Sequence, residues 1–169
     1  MNAVPTRLVS GTFDLVDDDG KSVTDSTYHG QWKVVFFGFT HCRMVCPRAL
    51  KRLSSVLDRI GSLADDVRPL YITVDPERDT PRVMKDFLAE DYPRFTGLTG
   101  TRAQIDRAKQ SFRVFSTTVS DSDAPDGYQM PHSAFTFVLD PTGAYRTHFT
   151  DAVGEDELVE QLKAVLGAS

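Results

Sequence analysis

The sequence predicts an α/β fold, a central mixed β-sheet flanked by helices with an N-terminal β-hairpin. Three observations point there. Residues 34–39 are an unbroken apolar run of strand length, the pattern of a strand buried on both faces. Leu50, Leu53, Leu57 and Ile60 then recur at helical spacing and form one apolar stripe. Residues 67–74 return as a second buried strand. Strand, helix and strand in that order make a β-α-β unit, so the two strands run parallel with a right-handed crossover.

Each further element has its own local reason. Residues 13–16 and 22–24 read as a short hairpin, because Asp17, Asp18, Asp19 and Gly20 between them are turn formers. That acidic run reads as a solvated turn, since a calcium loop needs a longer series of oxygen ligands ending in Glu. Pro47 suits the first position of the helix that follows the apolar run, where its missing N–H has no partner in any case. The helix ends at Gly61 or within residues 64–66. Thr80 and Pro81 pair an N-cap with a first helical proline, and Thr101 with Gln104 forms a capping box. Residues 116–131 are polar and turn-rich and read as a long mobile loop. Residues 133–139 form a strand, residues 140–143 a turn with proline second, and residues 144–149 the antiparallel partner. Leu158, Leu162 and Leu166 mark a last amphipathic helix. This order is compatible with a thioredoxin-like architecture. Residues 1–10 read as an extension and residues 11–169 as a single domain.

Composition removes several classes. Nineteen basic against twenty-four acidic residues give a net charge of -5 over 169 residues, which argues against a nucleic-acid binder. The longest apolar run is far below the roughly 20 residues that cross a bilayer. The first ten residues lack the apolar stretch of a signal peptide, so the chain as given reads as a soluble unit, native to the cytosol or cut from its targeting segment. A chain this long buries roughly 70% of its unfolded surface, so the fold needs no disulfide or metal to hold it.

The chemistry gathers at the strand-to-helix junction. Cys42 and Cys46 lie beyond the carboxyl end of the apolar strand, where open α/β sheets bind ligands. Cys46 precedes Pro47, close to a helix N-terminus whose free N–H groups and dipole favour a thiolate. Arg43, Arg48, Lys51 and Arg52 add positive charge. With three residues between them, the two sulfurs can share a metal, close to a disulfide, or act as a redox couple. Two thiolates do not complete a metal site. Of the four histidines, His29 reads as exposed, His41 diverges from adjacent Cys42, and His148 has no argument for function. His132 ends the long loop and enters a strand of the same sheet; spacing alone leaves it more often structural than ligating. Asp75 ends the parallel strand beside the cysteine-bearing one. It either orients a ligand there or caps the turn at residues 76–80.

Four blocks then give a resemblance. Phe36-Phe37-Gly38-Phe39-Thr40-His41-Cys42-x-x-x-Cys46-Pro47, the run from Val74 to Pro81, Phe95-x-Gly97-Leu98-Thr99-Gly100-Thr101, and Tyr128-x-x-x-His132-Ser133 resemble, in order, the signature blocks of the Sco/SenC family. The resemblance implies a thioredoxin-like fold and a copper protein that helps assemble the binuclear CuA centre of cytochrome c oxidase. Carried onto matching positions, it implies Cys42, Cys46 and His132 as ligands of Cu(I) or Cu(II). It implies the CuA-bearing oxidase subunit as partner, with another periplasmic copper carrier or a thioredoxin-like reductant besides. It also implies the periplasmic side of a bacterial inner membrane or the mitochondrial intermembrane space, reached through an N-terminal helix absent from this sequence. Two departures stand out. Pro131 replaces an acidic residue before the histidine, and Arg43-Met44 replaces the usual Pro-Asp between the cysteines.

Thiolates favour Cu(I) and imidazole tolerates Cu(II), so this donor set can hold either state, and three ligands leave the ion accessible. A structural zinc site wants four. Without metal, the same pair can reduce a disulfide on the oxidase subunit, Cys42 or Cys46 attacking and the other resolving. A peroxidase of the peroxiredoxin type is weaker, because it leaves His132 without a role.

Overall fold

The computed structural model describes residues 9–38, 45–114, 119–120, 128–129, 135–150 and 153–167. The strands are β1 Asp14–Asp17, β2 Ser22–Thr24, β3 Trp32–Gly38, β4 Val67–Thr73, β5 Thr96–Thr99, β6 Val119–Ser120, β7 Tyr128–Gln129, β8 Phe135–Leu139 and β9 Tyr145–Thr150. The helices are α1 Val45–Arg59, α2 Pro81–Asp91, α3 Arg102–Phe112 and α4 Glu155–Gly167, with 3-10 turns at Asp25–Tyr28 and Gly61–Asp66. Seven strands make one mixed sheet in the order β2-β1-β5-β4-β3-β8-β9. Among the described residues no helix is long and apolar enough to cross a membrane.

Strand β3 is the axis of this sheet. It pairs parallel with β4 from Trp32↔Val67 to Gly38↔Thr73, and antiparallel with β8 from Lys33↔Leu139 to Phe36↔Thr136. Every residue of β3 is buried. Alternation sends Trp32, Val34 and Phe36 to one side, into a core with Leu50 and Leu53 of α1, Met84 and Leu88 of α2, and Leu158 and Leu162 of α4. It sends Val35 and Phe37 to the other, against Ile105, Ala108 and Phe112 of α3 and Phe13 of the N-terminal segment. Helices therefore cover both faces, as the unbroken apolar run predicts.

The caps form as read. The Thr80 hydroxyl accepts from Val83 N at 3.3 Å. Thr101 and Gln104 exchange both capping-box bonds, at 3.1 and 2.9 Å. At the last turn Asp140 Oδ1 accepts from the backbone N–H groups of Thr142 and Ala144, and Gly143 takes the left-handed conformation at φ 91°.

Four expectations change. Helix α1 begins at Val45, two residues before Pro47; a proline within the first turn still lacks only an N–H that has no helical acceptor. That helix ends at Arg59, and the stretch from Gly61 to Asp66 continues as a 3-10 turn. Strand β5 is additional. Its sequence Thr96-Gly97-Leu98-Thr99 is too short and too glycine-rich to signal a strand. Gly97 is nonetheless required, because a Cβ there would come within 3.0 Å of Met84 Cβ on α2. Pairing of β5 with β1 brings the N-terminal hairpin into the central sheet as its edge. Finally, within residues 116–131, β6 and β7 pair antiparallel through Val119↔Gln129 and Ser120↔Tyr128, so part of the expected loop is a β-ribbon. The remainder lies outside the described residues.

One core position opposes the pattern. Lys33 is 0% exposed within β3, and its Nζ is buried with no hydrogen-bond partner among the described residues. Burial pushes its ammonium below the ordinary 10.5, against the pull of the Asp25 and Asp140 carboxylates. The unfolded chain therefore binds more protons than the folded one between that depressed value and 10.5. Stability rises with pH across this window and is lost as pH falls through it. Lys33→Met is expected to stabilise the fold by about 1–3 kcal/mol at pH 7 and to flatten this rise. Urea unfolding of both proteins between pH 6 and 10 checks it; parallel pH slopes overturn it.

Candidate metal and redox site

The carboxyl end of the parallel strands is where the sequence places its chemistry. Gly38 closes β3 there, and Val74 N donates to Gly38 O at 2.8 Å, so the exits of β3 and β4 are tied together. Phe135 opens β8 at this same end, because β8 runs antiparallel beside β3 and its pairing reaches Phe36↔Thr136. Helix α1 begins at Val45, seven positions beyond the end of β3, and its Ala49 and Leu50 are buried in the core. Cys42, His41, His132 and Pro131 lie outside the described residues. Cys46 is in the first turn of α1, and only its backbone is described.

Asp75 is placed in full. It is 0% exposed just past the end of β4. Its carboxylate accepts a hydrogen bond from Arg78 Nε, and Arg78 is itself only 11% exposed. Its backbone carbonyl accepts from Asp79 N at 2.9 Å and Arg78 N at 3.2 Å. The Asp75 main chain thus closes the turn, and its carboxylate holds the guanidinium of Arg78 within that same turn.

Around Asp75 runs a polar network that sequence reading missed. The Thr73 hydroxyl accepts from Asp75 N at 2.9 Å and donates to Asp79 Oδ2 at 2.7 Å. Thr99 Oγ1 donates to Asp79 O at 2.7 Å. Arg102 Nη1 reaches Val74 O at 3.3 Å, and its Nε reaches Glu77 at 3.2 Å. Thr73, Asp75 and Asp79 are all 0% exposed. A signal existed: two aspartates and an arginine follow closely on the apolar run Leu70-Tyr71-Ile72 of β4, and charges buried there must find partners.

The other candidates do not join this end of the sheet. His29 is 41% exposed, 3.8 Å from Asp25. His148 is half-buried on β9, where its Nδ1 meets Tyr145 Oη and its ring stands edge-on to Phe135 at 5.2 Å; burial lowers its basicity. Among the described residues, the one cluster of metal-ligand type is Asp17, Asp18 and Asp19. Asp17 Oδ1 accepts from Asp19 N and Lys21 N, Asp18 Oδ2 from Gly97 N, and Asp19 pairs with Lys85. Asp17 thus closes the turn as expected, whereas Asp18 and Asp19 reach across to β5 and α2, so the acidic run is less solvated than its composition suggests.

The sequence pattern of the SCO1/SenC family matches residues 2–167. The chain belongs to this family. It is 35% identical over 155 residues to an SCO2-like protein of Rickettsia felis, a match covering 92% of this chain and 76% of that one. Its fold is similar to the Arabidopsis thaliana ScoI structure with copper bound, at TM-score 0.90 and 31% identity, covering 95% and 99% of the two chains. It is also similar to Bradyrhizobium japonicum ScoI with copper bound, at TM-score 0.81 and 38% identity, covering 92% and 98%.

The Asp75–Arg78 contact makes a prediction of its own. Arg78→Met removes the guanidinium from a buried carboxylate and is expected to cost about 3–5 kcal/mol. The double variant Asp75→Leu/Arg78→Met, which removes both charges, is expected to regain most of that. Denaturant unfolding of the three proteins measures it, and additive losses overturn it.

Proposed function

We propose that this chain binds one copper ion through Cys42, Cys46 and His132 and delivers it to the CuA-bearing subunit of cytochrome c oxidase during assembly. The observation that carries this reading is topological. The chain leaving β3 holds Cys42, the first turn of α1 holds Cys46, and the chain entering β8 holds His132 three residues before Phe135. The exit of β3 and the entry of β8 lie at the same end of the sheet. Copper in the similar ScoI structures supports the choice of metal, and so does the donor set, with two soft thiolates and one imidazole. Copper is here cargo, so a three-ligand site that leaves the ion accessible suits its hand-over. The working compartment in this proposal is the periplasmic face of a bacterial inner membrane.

A second reading rests on the same pair of sulfurs. Two cysteines four apart at a helix start can close to a disulfide. The reduced pair can then reduce a disulfide between the oxidase's copper-binding cysteines before metal enters. Transfer of copper from the loaded protein to the reduced CuA domain, compared with reduction of the oxidised domain by the metal-free dithiol, separates the two.

Copper titration of reduced wild type and His132→Ala tests the ligand set. Wild type is expected to bind one copper and, as Cu(II), to show a thiolate-to-metal absorption band that zinc cannot give. His132→Ala is expected to weaken Cu(II) at least tenfold, an effect on the order of 1.4 kcal/mol or more. A variant that binds both copper states as wild type does ends the three-ligand reading.

A further inference from the structure

We propose that Thr73 and Asp79 are positioning residues for the Cys42/Cys46 pair. This rests on the reading that the pair is the working site, whichever of its two chemistries is used. The Thr73 hydroxyl joins two parts of the turn after β4, accepting from Asp75 N and donating to the Asp79 carboxylate. Thr99 ties the Asp79 carbonyl to the end of β5. Three buried polar side chains, Thr73, Asp79 and Thr99, thus fix this turn in one conformation. A buried carboxylate costs several kcal/mol unless it is hydrogen-bonded, so the turn is held strongly only while these bonds stand.

The lock reaches the cysteines through the backbone. Gly38 and Thr73 are register partners, and Val74 N, one residue past Thr73, donates to Gly38 O at 2.8 Å. Fixing the exit of β4 therefore fixes the exit of β3, four residues before Cys42. Cys46 is carried independently, on a helix anchored in the core by Ala49, Leu50 and Leu53. One cysteine is tethered to the locked strand end and the other to the packed helix. The lock thereby governs how readily the two sulfurs meet, which is what sets the stability of a disulfide between them.

The test uses metal-free protein equilibrated with dithiothreitol. The Cys42–Cys46 disulfide takes up two electrons and two protons to become two thiols, while the reagent's two thiols give them up and close to its cyclic disulfide. Thr73→Val removes both hydroxyl bonds at nearly constant volume. It is expected to shift the equilibrium about tenfold toward the protein dithiol, about 30 mV more oxidising. Thr73→Ser, which keeps the hydroxyl, is expected to stay within about twofold of wild type. Thr99→Val is expected to shift in the same direction by less.

An unchanged potential in Thr73→Val, whatever its melting temperature, makes Thr73 merely structural and overturns the proposal. An equal shift in Thr73→Ser also overturns it, as does a wild type that forms no disulfide. Should Thr73→Val not fold, Thr99→Val decides alone, and no shift there overturns the proposal. Copper binding is measured separately on wild type. Its absence ends the carrier reading and leaves the positioning result standing, while copper binding with an unmoved potential ends only the positioning.

Discussion

The rest of the molecule depends on the hydrogen-bonded register of β3, which is held along both edges. On one side it matches β4 residue for residue to Gly38 and Thr73; on the other it meets β8 antiparallel. Because the side chains alternate, the same seven residues seed both cores, Trp32, Val34 and Phe36 toward α1, α2 and α4, and Val35 and Phe37 toward α3. A slip of one residue would exchange the two faces and place Lys33 where Val34 now packs. The same register aligns the exits of β3 and β4 and the entry of β8. Position at the candidate site is thus a consequence of strand pairing, before any side chain beyond the strands is considered.

The two ends of the sheet treat buried polarity differently. At the amino end of β3, Lys33 is enclosed with no hydrogen-bond partner among the described residues. At the carboxyl end of β4, the buried side chains of Thr73, Asp75 and Asp79 each have a hydrogen-bond partner. Thr73 answers Asp79, Asp75 answers Arg78, and Thr99 reaches back to Asp79. Satisfied networks rigidify what they join, whereas an unpaired group only destabilises. The polar atoms that order this fold are therefore concentrated at the end from which the cysteine-bearing and histidine-bearing segments depart.

Much of this was legible in the sequence, for identifiable reasons. Strand β3, helix α1 and strand β4 could be read because burial on both faces writes an unmistakable apolar run, and because leucines at helical spacing admit one reading. The capping threonines could be read because a side-chain cap is a local event within four residues. Strand β5 could not, since its reason is tertiary: Gly97 exists to let α2 approach, and nothing within four residues announces that. The pairing of β6 with β7 was hidden in the same way inside a polar, turn-rich stretch. For Asp75, position was legible but partnership was not. The sequence places it at a strand end, and only the folded turn shows the Arg78 guanidinium against its carboxylate.

A carrier of metal ions and a thiol reductant make the same demand on a scaffold, and this fold answers it in a particular way. Both need donors that meet reproducibly and also part. Donors projecting from strand interiors would be fixed too well to release anything, and donors on unanchored loops would lose too much entropy on meeting. Here one sulfur belongs to a helix that packs into the core from Ala49 and Leu50 onward. The other follows the end of a strand whose neighbour is locked by Thr73 and Asp79. The imidazole precedes the first residue of the strand on the opposite flank. In the proposed site Cys42 and His132 stand a few residues outside a strand, and Cys46 sits in the first turn of a helix. Tuning such a site does not require changing its donors. It requires changing how firmly the strand ends are held, and in this chain that firmness resides in hydroxyl and carboxylate groups that touch neither sulfur in sequence.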